Sequence, residues 1–79
     1  MITTPMSSLT TLQPGQTATI RSIEAEESLL QRLAALGFRM GKKIELVRCA
    51  SFNGPLHVRI GTTDVLLRRS EANRILITP

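Results

Sequence analysis

Three leucines fix the one regular element that any fold of this chain must accommodate. Leu29, Leu33 and Leu36, with Leu30 beside them, recur at three- and four-residue spacing. That spacing lays an apolar stripe along a helix over residues 26–36. Gln31, Arg32 and Ala35 fall on the other side, and Glu26 and Glu27 fall in the first turn, where the helix dipole favours negative charge. The stop is sharper than the start. Gly37 suits the left-handed residue after the cap, because glycine has no Cβ to clash there, and Phe38 would then fold back onto Leu33.

The rest reads as short strands and turns. Residues 1–8 are polar, carry Pro5 and read as a loose arm; Leu9 and Leu12 are the first core contacts, before a turn at Pro14-Gly15. Residues 17–23 are rich in β-branched types, with Ala18 and Ile20 toward one face. Ile23 breaks the parity, which signals a bulge or the strand's end. Met40-Gly41-Lys42 turns into a strand at 43–49, with Ile44 and Leu46 on one face and Val47 and Cys49 on the other. Phe52-Asn53-Gly54-Pro55 is a hairpin loop. Leu56, Val58 and Ile60 alternate with His57 and Arg59. Gly61 to Asp64 is a tight turn, Val65 to Arg68 a strand, Ser70 the cap of a helical turn through Arg74, and Ile75 to Ile77 the closing strand. Five short strands with one helix predict a mainly β fold, a small closed or half-closed barrel whose helix covers one end.

A chain of 79 residues is one domain, here residues 9–79. At this size about 60% of the unfolded surface is buried, too little for a deep water-excluding active site. Phe38 and Phe52 are the only aromatic residues, so the core is aliphatic. The net charge of +4 fits acidic partners and fits ordinary solubility equally, since the basic residues are spread and cluster only at Arg39 to Lys43 and at Arg68-Arg69. A single cysteine, Cys49, rules out an internal disulfide framework and a cysteine-cluster zinc site and fits a reducing cytoplasm. The N-terminus shows no basic-then-apolar leader, and no apolar run approaches the ~20 residues of a membrane helix. Contact with a membrane is then expected from the surface or through a partner, not by insertion.

Catalysis finds little support. Cys49 and His57 flank the hairpin loop and are the one conceivable nucleophile–base pair, with no third orienting group. With Glu45 they are also the candidate metal ligands, but scattered ligands without tight spacing read as a half-buried cysteine and a surface histidine. Gly15, Gly37, Gly41, Gly54 and Gly61 are isolated turn residues rather than a phosphate loop. No enzyme activity and no cofactor are expected. Nucleic-acid binding suits the charge, yet two phenylalanines make a poor stacking platform. Phe38, Met40 and Phe52 have two readings. Phe38 caps the helix end and Met40 fills a gap in the core, or the thin core leaves them as an apolar docking patch rimmed by Arg39, Lys42 and Lys43.

The order of elements resembles the FeoA family of small ferrous-iron-transport accessory proteins. Residues 9–78 carry the resemblance, most specifically from Arg32 to Gly41, read as Arg-Leu-x-x-Leu-Gly-Phe-x-x-Gly. Around it stand Leu9, Leu12 and Pro14-Gly15, then Ala18, Ile20 and Ile23, then Ile44 and Leu46, Pro55, and Leu67, Ala72, Ile75 and Ile77. The resemblance implies an SH3-like five-stranded barrel with one inserted α-helix (residues 26–36) and a short helical turn near 70–74. It implies a cytoplasmic, non-enzymatic protein that acts on the GTPase portion of FeoB, the membrane ferrous-iron transporter, and it supplies no agreed catalytic or metal residues. The partner face expected on this basis is Phe38, Arg39, Met40, Lys42 and Lys43, with Phe52. Arg39, by its turn position, is the candidate for an arginine finger toward a partner's phosphoryl transfer. The alternatives are an SH3-like nucleic-acid-binding module and a metal-responsive regulator. A homo-oligomer stays open.

Overall fold

The computed structural model describes residues 7–78. Six strands form one antiparallel sheet: β1 (Ser7–Ser8), β2 (Thr17–Ile23), β3 (Lys43–Cys49), β4 (Leu56–Ile60), β5 (Thr63–Leu67) and β6 (Ile75–Thr78). Their order across the sheet is β1-β6-β2-β3-β4-β5. Two helices interrupt it, α1 (Glu27–Ala35) and α2 (Arg69–Ala72), and a 3-10 turn (Leu9–Thr11) follows β1.

The sheet wraps one aliphatic core. Ala18 and Ile20 from β2, Ile44 and Leu46 from β3, Leu56, Val58 and Ile60 from β4, Leu67 from β5, and Ile75 and Ile77 from β6 share a single buried cluster. Period-2 alternation is the cause, since every second side chain of a strand points to the same face. The alternation slips twice. In β2 the register against β6 shifts between Ile20 and Ser22, the place where Ile23 breaks parity. In β3 it shifts against β4 between Leu46 and Arg48. Such bulges add twist and bend and so help a sheet curl round its core.

Helix α1 packs through Leu33, which is fully buried, with Leu29 and Leu36 partly buried against the same cluster and Leu30 left at the surface. Its end is a Schellman motif. The Phe38 N–H donates to the Leu33 carbonyl and the Gly37 N–H to the Ala34 carbonyl, both at 3.0 Å. Gly37 holds a φ of 100°, where a Cβ is disfavoured.

Several expectations change. Among the described residues there are six strands, because Ser7 and Ser8 pair with Ile77 and Leu76 rather than belonging to the loose arm. The remainder of that arm, residues 1–6, lies outside the described residues. The β4–β5 turn is only Gly61-Thr62, so β5 begins at Thr63 and takes Asp64 with it. The second helix is capped at Arg68 and not at Ser70, because the Glu71 carboxylate accepts the Arg68 N–H at 2.9 Å. Ser70 sits inside the helical turn instead.

Candidate functional site

The surface after α1 is built by the turn that its end imposes. Once Gly37 reverses the chain, Phe38 drops into the core with 1% of its surface exposed. This corrects its expected place on a docking patch: the side chain of Phe38 is packing. The next residues must then cross back to the sheet. The Lys42 N–H donates to the Arg39 carbonyl at 3.2 Å and closes the turn. The Gly41 N–H donates to the Ile20 carbonyl and the Ile20 N–H to the Lys42 carbonyl, both at 2.8 Å. These two bonds pin the turn to β2. With its backbone held, Met40 projects outward, 72% exposed, and Arg39, Lys42 and Lys43 are exposed around it. Met40 is therefore no core filler.

A cleft of about 280 Å³ adjoins this turn, lined by Leu36, Gly37, Arg39 and Lys42 on one side and by Ile60 to Thr63 on the other. The β4–β5 turn thus belongs to the same face. Sequence reasoning missed it, since nothing in residues 60–63 signals a partner. Only the antiparallel pairing of Glu45 with Arg59 brings that turn to the Lys43 end of β3.

Phe52 does not join this face. It stands at the far end of β3, whose rise of about 3.3 Å per residue puts its two ends roughly 20 Å apart. There Phe52 is fully exposed at the tip of the β3–β4 loop. Phe52 and Asn53 both have positive φ, 57° and 61°, and the Gly54 N–H donates to the Ser51 carbonyl at 3.1 Å, as in a type I′ turn. The expected six-residue patch therefore resolves into Arg39, Met40, Lys42 and Lys43 at one end, Phe52 at the other, and Phe38 inside.

The candidate metal ligands are separated too. The Cys49 thiol is exposed and accepts from Arg69 Nη2 at 3.6 Å. His57 Nε2 instead lies 3.2 Å from Asp64 Oδ2. Glu45 pairs across the sheet with Arg59. Among the described residues no three His, Cys, Asp or Glu side chains converge to hold a metal ion. Asp64 also accepts from Arg59 Nε at 2.7 Å and from Nη2 at 3.3 Å. That hydrogen bonding holds the Asp64 carboxyl below the usual range, with the His57 contact acting in the same direction and desolvation opposing it. The same bond raises Arg59. Arg32 is tied as well, donating through Nη2 to Glu71 and joining α1 to α2.

Among the described residues no helix is long and apolar enough to cross a membrane.

Known proteins share this arrangement. The family profile described as the FeoA domain matches residues 7–79. A fusion of Fe(2+) transport protein A with the Fe(2+) transporter FeoB in Porphyromonas gingivalis is 36% identical over 67 residues, covering 85% of this chain and 8% of the fusion. The chain thus spans a small fraction of that relative's length. Among solved structures, iron(II) transport protein A of Clostridium thermocellum is 34% identical, with a TM-score of 0.85 over 90% of this chain and 44% of that one. FeoA of Stenotrophomonas maltophilia, a zinc complex described as an SH3 domain protein, is 31% identical, with a TM-score of 0.78 over 89% of this chain and 87% of that one. The family match spans nearly the whole chain and the fold is shared with solved FeoA structures, and the chain therefore belongs to the FeoA family.

Proposed function

We propose that this protein is a cytoplasmic, non-enzymatic accessory of ferrous-iron uptake that docks on the GTPase region of an FeoB-type transporter and modulates Fe(II) transport. The observation that carries the reading is the Porphyromonas gingivalis fusion, in which a related FeoA segment and FeoB share one chain. Covalent linkage raises the effective concentration of two modules that act together. The docking face we assign is the turn after α1, with Met40 as the apolar anchor and Arg39, Lys42 and Lys43 as its basic rim, beside the Gly61-Thr62 turn. Methionine and arginine are enriched in interfaces, and an exposed thioether adapts to an irregular partner surface.

The test is capture of the purified protein by the soluble GTPase domain of the transporter. Met40→Asp should abolish capture, while circular dichroism and the melting temperature stay those of the wild type, because the side chain is 72% exposed. Capture unchanged by Met40→Asp removes this face from the assignment. Loss of capture with Phe52→Ala and not with Met40→Asp moves it to the opposite end of β3.

A further inference from the structure

Among the described residues, strand β5 ends the sheet with one side free, pairing only with β4. Its closing pair, Ile60 with Thr63, flanks a two-residue turn. Bonded pairs then alternate outward, so Val65 and Leu67 spend their backbone groups on Val58 and Leu56. Asp64 and Leu66 turn their N–H and C=O groups to the free side. Their side chains point away from the core together with Arg68, and Leu66 is 70% exposed. An apolar residue on an unpaired edge is a template for another strand.

We propose that this edge pairs antiparallel with β5 of a second copy of the chain about a two-fold axis at Leu66. Register singles out this arrangement. Centring on Leu66 sets it opposite the second copy's Leu66 and places each Asp64 opposite the other copy's Arg68. Centring on Val65 instead opposes each Asp64 to a leucine. Centring on Asp64 opposes two carboxylates. Only the first matches like with like and opposite charges across the strands. Arg68 is exposed and makes no ion pair among the described residues, so its guanidinium is available. Its backbone is not. The Arg68 N–H goes to Glu71 and its carbonyl accepts from the Glu71 and Ala72 N–H groups. The ladder is therefore limited to the two N–H···O bonds of the central Leu66 pair, and Arg68 adds only its side chain. An edge contact this small falls far below the roughly 1,200–2,000 Å² of a stable interface, so the pairing is weak and forms at high concentration.

Amide exchange reads it directly. In the full chain, the Leu66 N–H should exchange more slowly at about 1 mM than at about 20 µM protein, concentrations bracketing weak association. The Val65 N–H, already bonded to β4, should not change. Arg68→Glu sets like charges opposite Asp64 and should erase the concentration dependence, with Val65 protection reporting an intact fold. Independently, a bonded antiparallel pair has Cα atoms about 5.5 Å apart, inside the range a disulfide spans. Leu66→Cys in a Cys49→Ser background should give a covalent dimer with oxidised glutathione, which takes up the two electrons and becomes two thiols. Leu30→Cys in the same background, on α1, should remain monomeric. Leu66 exchange that is independent of concentration, or cross-linking no faster than at position 30, overturns the proposal.

Discussion

Phe52 holds a backbone conformation that few bulky residues adopt, at a φ of 57°, and its side chain is fully exposed. Nothing in the fold compensates it by packing. Asparagine tolerates this region far better and is favoured in type I′ turns. Phe52→Asn should therefore raise stability by about 1 kcal/mol, the lower end of the usual cost of a left-handed residue. In thermal unfolding that corresponds to a melting temperature roughly 4–8 °C higher for a domain of this size. A lower melting temperature would mean that the ring contributes contacts the exposed geometry does not provide. Phe52 shows what sequence reading resolves and what it does not. Its place in a hairpin loop was legible from Asn53-Gly54-Pro55. Its distance from Met40 was not, because distance follows from strand length and direction and not from residue type.

The end of α1 behaves as a unit. Gly37 supplies the reversal, the Leu33 and Ala34 carbonyls supply the acceptors, and Phe38 seals the junction from inside the core. A Cβ on Gly37 would meet only Ile60 Cγ2, at 4.0 Å, so there is room for a methyl group. The cost of Gly37→Ala is then conformational, about 1–2 kcal/mol for an L-residue at this φ. Urea titration should show a lower midpoint with an unchanged slope, since the surface exposed on unfolding is the same. A change in slope would instead report a helix end that no longer docks. The stop itself was legible, because leucine spacing and a following Gly-Phe are local signals, whereas the choice between core and docking patch for Phe38 needed the packed structure. β4 was legible for the same reason, from three apolar residues at period 2. β1 was not. Two serines carry no apolar alternation, and they become a strand only because β6 offers Leu76 and Ile77 as partners. The cap of α2 was misplaced because serine is the stronger cap by type. Here the bond comes from Glu71, three residues after Arg68, and the side chain at the cap position takes no part.

Across the molecule, the ten basic residues behind the net charge of +4 are spread over several elements. Arg32 is tied to Glu71 and Arg59 to Asp64. Arg39, Lys42 and Lys43 sit at one end of β3, and Arg48 begins the approach to the other. Single-strand binders need a basic track with aromatic faces along it on which bases stack, each stacked base worth about 1–3 kcal/mol. This chain buries Phe38, which leaves Phe52 as the single exposed aromatic ring, so Arg48 and Arg69 near its end of β3 have no row of stacking faces beside them. Phosphate contacts alone would leave binding steeply dependent on salt and already weak at physiological strength. A gel shift with single- and double-stranded oligonucleotides should accordingly show no retardation at moderate salt. If the proposed docking on a GTPase domain uses the turn after α1, it should respond to salt differently. Screening a basic rim slows association modestly, while the buried methionine contact that sets dissociation is unaffected. Association rates measured against ionic strength should therefore fall with a shallow slope and a nearly constant dissociation rate. A steep slope, or retardation of nucleic acid that persists at moderate salt, would show that the scattered charge works as one surface, and the face around Met40 would lose its standing as the anchor.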